Sequence, residues 1–337
     1  TRCPAPPFTT SALQQEASRK LGFSVSQTMR IAQKLYESGL ITYMRTDSTN
    51  LSQLALNTIK QVISTTYGEE YSKTRQYKTK SKGAQEAHEA IRPTYPANAT
   101  IEGTAQEKRL YSLIWKRCIA SQMADAKIEK TNITIEGSAF PQHFICSGEQ
   151  VVFDGFLKLY MEGRDDDPAD EMAQEGQSSR LLPELEVSES LDRVEIAATE
   201  RFGQRPPRYS EASLVKKLEE LGIGRPSTYA PTITTITQRG YIVKEDREGS
   251  VRNYEKFLLK GEAIEKVQCS ESFGSEKGKL FPQDIGMLVT DFLKSNFAEI
   301  LDYGFTAKVE EDFDKIAAGK KVWNNVLECA LKYPAWV

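Results

Sequence analysis

The stretch Thr42-Tyr43-Met44-Arg45-Thr46-Asp47-Ser48 sets a phenol and a guanidinium two residues apart. In an extended chain alternate side chains share a face, so Tyr43 and Arg45 are expected to point the same way. A phenol titrates near pH 10 in water and is a weak nucleophile at neutral pH. A neighbouring guanidinium favours the phenolate and also binds a phosphate under attack. Phosphoryl transfer depends on that charge stabilisation more than on a strong base. Spacing alone leaves a blander reading open, with Tyr43 packed and Arg45 solvated. His88, in Gln85-Glu86-Ala87-His88-Glu89-Ala90-Ile91-Arg92-Pro93, is a second candidate, although a lone histidine is more often a structural hydrogen-bond partner. Glu86 and Glu89 beside it fit a solvated helix face. The third candidate is Gly222-Ile223-Gly224-Arg225-Pro226-Ser227-Thr228-Tyr229. A proline at a helix start leaves free backbone N–H groups, which suit a phosphate together with the Ser227 and Thr228 hydroxyls. The same residues equally fit a plain Ser/Thr helix cap beside a surface arginine. Arg225 and Arg239 are the next phosphate contacts, and Tyr209 and Tyr229 either stack bases or pack in a core.

The elements that would hold these groups are mostly helices. Thr10 or Ser11 caps a helix through Leu13 and Ala17 that Gly22 ends, and Ser24 or Ser26 opens a second one ended by Gly39. Met29, Ala32, Leu35 and Tyr36 give the second helix one apolar face. Leu40 to Arg45 then reads as a strand. The same order returns about 200 residues later: a helix with Leu214, Val215, Leu218 and Leu221 ending at Gly222, a helix opened by Pro226-Ser227-Thr228 and ended by Gly240, and a strand at Tyr241-Ile242-Val243. Pro231 falls in the first turn of that helix, where it is tolerated. Helix, turn, helix and strand is the helix-turn-helix plan with a wing, and two copies make nucleic acid the leading partner class.

Between the copies, residues 131–135, 144–146, 151–153 and 193–196 suggest short β-strands. Gly163 to Ser179 is acidic and poor in apolar residues, which predicts a loop. Residues 245–280 read as an elaborated wing or insertion, and Asp284 to Asn296 and Phe305 to Ile316 as closing amphipathic helices.

Composition narrows the classes. A chain of 337 residues is long enough for two or three domains, each with its own core. Five scattered cysteines (Cys3, Cys118, Cys146, Cys269, Cys329) and two histidines offer neither a disulfide framework nor a zinc site, so reduced thiols are expected. No apolar run approaches the roughly 20 residues that a membrane-spanning helix needs. Thr1 followed closely by Pro4, Pro6 and Pro7 suggests an excised piece of a longer protein. The net charge of -3 conceals an uneven distribution. Residues 1–130 carry 19 Lys+Arg against 11 Asp+Glu, residues 131–200 carry 4 against 16, and residues 201–337 carry 21 against 20. A polyanion would be drawn to the first segment and repelled by the second.

Gly39-Leu40-Ile41-Thr42-Tyr43-Met44-Arg45-Thr46-Asp47-Ser48 resembles the active-site segment of bacterial type IA DNA topoisomerases. The His88 string resembles their second signature. Arg208-Tyr209-Ser210-Glu211-Ala212-Ser213-Leu214 and the Gly222–Tyr229 string resemble a third and fourth. The resemblance covers nearly the whole chain and is weakest over 164–182 and 245–280. It implies that Tyr43 forms a phosphotyrosine link to the 5′ end of a cut single strand, that Arg45 contacts the scissile phosphate and that His88 lies near the site. It places Arg225, Ser227 and Thr228 along a groove for single-stranded DNA, with Arg239 the further phosphate contact read from the sequence. The family's magnesium ligands are an Asp-x-Asp-x-Asp cluster and a separate glutamate in an amino-terminal domain. Here Asp165-Asp166-Asp167 are consecutive and do not project together, so no metal ligand is assigned in this chain and Mg2+ is expected only in the full-length enzyme.

The implied fold is multidomain and mainly α, with a β-rich middle and two winged-helix-like units. Residues 1–130 would be a helical domain bearing the tyrosine, 131–200 part of a β-rich arch, and 201–337 a helical domain lining the groove. The implied activity is cleavage of one strand, passage of another and religation, relaxing negative supercoils without ATP. A cytoplasmic, nucleoid-associated, monomeric protein acting on DNA, with no membrane partner, is implied too. The chain alone is expected not to relax DNA, because the magnesium-binding domain is missing. The alternative of a non-enzymatic winged-helix DNA binder explains the repeat and the basic first segment but leaves the Tyr43 string unexplained. A tyrosine recombinase would want several Arg and His around one phosphate, and this chain has only His88 and His143.

Overall fold

The computed structural model describes residues 1–77, 89–137, 141–163, 182–183, 185–203 and 205–331. Of the expectations above, His88, Glu86 and most of the acidic stretch from Gly163 to Ser179 lie outside the described residues.

The first unit is helical. Helices α1 (Thr10–Leu21) and α2 (Val25–Glu37) are followed by α3 (Gln53–Tyr67) and α4 (Ala105–Ser121). Thr9 caps α1 and Ser24 caps α2, each accepting a backbone N–H through its hydroxyl. Gly22 ends α1 at φ +69°, a conformation in which a side chain is strained. At α4 the cap is reciprocal: Thr104 accepts from Glu107 N, and the Glu107 carboxylate accepts from Thr104 N. One continuous core holds these helices together, with Phe8, Leu13, Leu35, Ile59, Leu110 and Ile114 all buried. Phe156 and Tyr160, which follow the first strand pair in sequence, return to the same core. Their return is fixed by two polar contacts: buried Tyr160 donates to Glu16, and Arg117 reaches the half-exposed Glu162 at 2.7 Å.

Strands β1 (Lys127–Glu136) and β2 (His143–Phe153) form an antiparallel pair. The separate strands expected at 144–146 and 151–153 are one continuous strand, because β1 pairs with it along its whole length. β3 (Ile196–Thr199) begins where the expected strand at 193–196 ends, since pairing with β5 (Ser250–Lys260) starts at Ile196.

The last unit repeats the helix pair as α5 (Glu211–Glu220) and α6 (Tyr229–Gln238). β4 (Ile242–Arg247) follows and pairs antiparallel with β7 (Glu276–Pro282), while β5 and β6 (Ala263–Phe273) form a long hairpin between them. Sheet is therefore prominent outside the middle segment as well, and the described chain combines helices with sheets. α7 (Asp284–Asn296), α8 (Ala298–Leu301), α9 (Tyr303–Ala317) and α10 (Trp323–Leu331) close the described chain.

The two helix pairs pack on each other. α1 lies on α5 and α2 on α6. Val25 is fully buried among Val215, Tyr229, Ala230 and Ile233, and Ser11 donates to Glu219 at 2.5 Å. This seam joins the first and last units beside the candidate site.

Candidate active site

Residues 40–46 are not a strand. The backbone bends at Thr42 and Met44, and pairing is limited to an isolated bridge between Ile41 and Pro93. Distant partners take up the backbone groups instead. Thr42 N donates to Arg92 O at 2.9 Å, and the Thr42 hydroxyl donates to Ala90 O at 2.8 Å. Farther along, the buried Thr10 hydroxyl meets Met44 O at 2.8 Å and accepts from Thr46 N at 2.8 Å. The expected alternation survives without the strand. Ile41, Met44 and Thr46 are buried, whereas Tyr43 is 41 % exposed and Arg45 is exposed. Tyr43 and Arg45 therefore share the solvent side of a segment whose intervening residue is locked inside. Tyr36, in the last turn of α2, meets the Tyr43 ring edge-on with centroids 5.2 Å apart. That contact orients the phenol, and sequence reading had treated Tyr36 only as part of an apolar face.

The His88 string enters the described chain at Glu89. Glu89 belongs to no helix, so it is not part of a solvated helix face. Its carboxylate accepts from Ser52 N and from Arg92, both at 2.6 Å. Desolvation alone would raise its pKa, but the hydrogen bonds from Arg92 and Ser52 outweigh it and hold the group below the usual carboxylate range.

The loop before α6 differs from the expected helix start. The helix begins at Tyr229, so Pro226 sits three residues earlier in a turn, and Thr228 occupies the cap position without a side-chain capping bond. The reason is that its hydroxyl is engaged elsewhere, accepting from Arg225 N at 2.8 Å and donating to Arg225 O at 3.1 Å. Arg225 is held by carboxylates of α9: Asp314 at 2.8 Å and Glu310 at 3.6 Å. Ser227 and Arg239 are exposed. Tyr229 is buried in the seam, where desolvation pushes its phenol well up, so it packs; Tyr209 is 45 % exposed.

A cleft of about 980 Å³ brings the two strings together, with Asp47 on one side and Arg225, Pro226 and Tyr229 on the other. Glu219 also lines it, and desolvation raises its carboxyl above the ordinary range, helped by the neighbouring Glu220 and Asp47 and opposed by the Ser11 hydrogen bond. Asp47, Glu219 and Asp314 went unnoticed in the sequence because only folding places them here. Tyr43, Arg45, Ser227, Thr228 and Arg239 do not line this cleft, and the Tyr43 string reaches it only through Asp47. Among the described residues no group of three or more His, Cys, Asp or Glu side chains is placed to hold a metal ion. No helix among them is long and apolar enough to cross a membrane.

Comparison with known proteins agrees with this geometry. Residues 1–254 match the family model described as DNA topoisomerase. The chain is 44% identical to a prokaryotic-type DNA topoisomerase 1 of Acanthamoeba polyphaga mimivirus, over 97% of this chain and 40% of that protein. It is 43% identical to DNA topoisomerase 1 of Zymomonas mobilis, over 97% of this chain and 24% of that protein. The solved full-length topoisomerase I of Thermotoga maritima superposes with a TM-score of 0.71 at 34% identity, over 97% of this chain and 48% of that one. The chain thus spans less than half the length of these relatives. They lend no support to the alternative of a non-enzymatic winged-helix binder.

Proposed function

The chain belongs to the type IA DNA topoisomerases, and from that premise we propose that it supplies the strand-cutting tyrosine and part of the DNA groove of such an enzyme. Tyr43 Oη attacks a backbone phosphorus, the new O–P bond replaces the bond to the 3′ oxygen, and the phenol's proton ends on the departing 3′ hydroxyl. The 5′ phosphate stays on Tyr43. Attack by the same 3′ hydroxyl reverses the step, so phosphodiester energy is conserved and no ATP is consumed. Arg45, on the same exposed face, pairs with the phosphate as negative charge builds on its oxygens. The family resemblance assigns His88 a role at the backbone phosphates. Arg225 holds the single strand at the cleft, with DNA phosphates displacing Asp314 and Glu310 from it, and Ser227, Thr228 and Arg239 contact the strand beyond the cleft. The second helix pair with β4 and β7 acts as a winged-helix unit. Mg2+ would be held by residues of the whole protein outside this chain. Residues 1–130, 131–200 and 201–337 serve as tyrosine domain, arch and groove domain of a monomeric, cytoplasmic, nucleoid-associated enzyme that relaxes negative supercoils.

One observation carries the reading: the Tyr43 ring is presented to solvent beside Arg45 by a segment whose alternate residues are buried. The test joins this chain to the remainder of the whole protein and traps 5′-linked DNA with detergent. Tyr43→Phe should abolish the adduct. Arg45→Ala should lower it at least ten-fold, with partial recovery in Arg45→Lys. Undiminished adduct in Tyr43→Phe would overturn the proposal.

A further inference from the structure

A second cleft, of about 660 Å³, opens on the opposite end of the α1–α5 contact from Tyr43. Thr10, which holds the Tyr43 segment, starts α1, whereas this cleft takes Ser18 and Arg19 near its end, roughly 12 Å away along the helix. Facing them are one side of α5 along its length, from Ala212 to Glu220, and the adjoining β4–β7 pair. Seven Lys or Arg residues line the cleft against two acidic ones, Glu220 and Asp246. Some of that charge is spent: Lys244 pairs with Glu211 at 2.9 Å, and Asp246 accepts from Gly278 N at 2.5 Å. Lys216, Lys277 and Lys279 make no ion pair among the described residues, and they converge on one opening from two elements, Lys216 from α5 and the other two from β7. Bringing like charges together with no anion raises the energy of the folded chain, which a bound polyanion would relieve. Tyr209 stands in the same cleft with 45 % of its surface exposed. Cations flanking an exposed aromatic ring are the chemistry that grips a single strand, with phosphates on the lysines and a base on the ring. A duplex keeps its bases stacked inside and leaves such a ring unused.

We propose that this cleft is a second anchoring site for single-stranded nucleic acid, separate from the phosphate that Tyr43 addresses. The proposal rests on the topoisomerase reading only for the class of ligand.

The test uses the purified 337-residue chain and a fifteen-nucleotide oligothymidylate. Lysine acetylation, mapped by mass spectrometry, should be suppressed by the oligonucleotide at Lys216, Lys277 and Lys279. The triple variant Lys216→Glu/Lys277→Glu/Lys279→Glu should bind a fluorescent form of the same oligonucleotide at least ten-fold more weakly. Its slope of log affinity against log salt should be shallower by about 2, at about 0.7 per lost phosphate contact. Tyr209→Ala should weaken binding roughly five-fold or more, and Tyr209→Phe should not. The glutamine triple variant, a milder change, should fall between wild type and the glutamate one. Unchanged acetylation, a wild-type salt slope in the triple variant, or equal protection by a fifteen-pair duplex would each overturn the proposal. Acetylation mapping involves no strand cleavage, so failure of Tyr43→Phe to abolish the adduct leaves this site standing, and loss of lysine protection leaves the Tyr43 reading standing.

Discussion

Thr10→Val tests whether the Tyr43 segment is held as the structure indicates. Thr10 is fully buried, and its hydroxyl meets Met44 O at 2.8 Å and Thr46 O at 3.1 Å while accepting from Thr46 N at 2.8 Å. Valine has nearly the same shape, so the change opens no cavity. It removes the hydroxyl and leaves the Thr46 N–H and the Met44 carbonyl without that partner. A buried group stripped of its partner costs about 1–3 kcal/mol. Taken towards the lower end for each group, the pair together should cost about 2–4 kcal/mol. Urea unfolding, at a slope of about 2 kcal/mol per molar, should then show the midpoint lowered by roughly 1–2 M. Thr10→Ser supplies the control, because it keeps the hydroxyl and loses one buried methyl worth about 1 kcal/mol. In the joined, full-length protein the two variants should also separate in covalent capture of DNA, with valine impaired and serine near wild type. If Thr10→Val unfolds within 0.5 kcal/mol of wild type on the mutational scale, or no earlier than Thr10→Ser, the hydroxyl does not hold the segment.

Further perturbations test the frame around the site. Hydrogen bonding to Lys34, and then to the Thr104 backbone, holds the Glu107 carboxyl down at about 2. Because the folded value lies below the unfolded one, this contact stabilises the protein above about pH 4.5 and loses its effect as pH falls towards 2. The melting temperature of wild type should therefore fall more steeply across that window than that of Glu107→Gln, and parallel curves would refute the assignment. Gly39→Ala should cost about 1 kcal/mol, since φ is +69° but an added Cβ meets nothing within 4 Å. Gly155→Ala should cost clearly more, because there a Cβ would lie 2.5 Å from Ala124 O and 2.6 Å from Asp125 O; urea titration giving equal losses would contradict the backbone placement.

What the sequence made legible was local. Helix ends followed from Gly22, Ser24, Gly39 and Gly222, and α7 runs over the residues its apolar spacing indicated, Asp284–Asn296. The outward side of Tyr43 and Arg45 was legible for the same reason, since alternation needs only neighbours. The strand at residues 40–45 was misjudged because the partners of those backbone groups are Thr10, Ala90 and Arg92, tens of residues away, and none of them offers a strand edge. Arg225 looked like a free phosphate contact because its carboxylate partner Asp314 follows 89 residues later. Tyr209 and Tyr229 looked alike in sequence. Only the packing of Val25 against α6 separates them, burying Tyr229 and leaving Tyr209 in solvent.

The sequence repeat acquires a physical meaning at the seam. Two helix pairs of similar design face each other, joined by Ser11 to Glu219 at 2.5 Å, Glu211 to Val25 N at 2.8 Å and Ser26 to Thr234 at 2.7 Å. Each of these bonds is replaced by water on separation, so each nets only about 1 kcal/mol. The apolar part is a small cluster around Val25, whereas the first unit's own core runs through all four of its helices. Separating the units thus costs far less than unfolding the first one. Thr10 ties the Tyr43 segment to α1, on one side of the seam, while Thr228 ties Arg225 to the loop on the other. Parting the seam would carry Tyr43 away from the Arg225 loop with both anchoring networks intact. Strand passage in the proposed reaction needs that property, a break that can widen while each side keeps its own geometry.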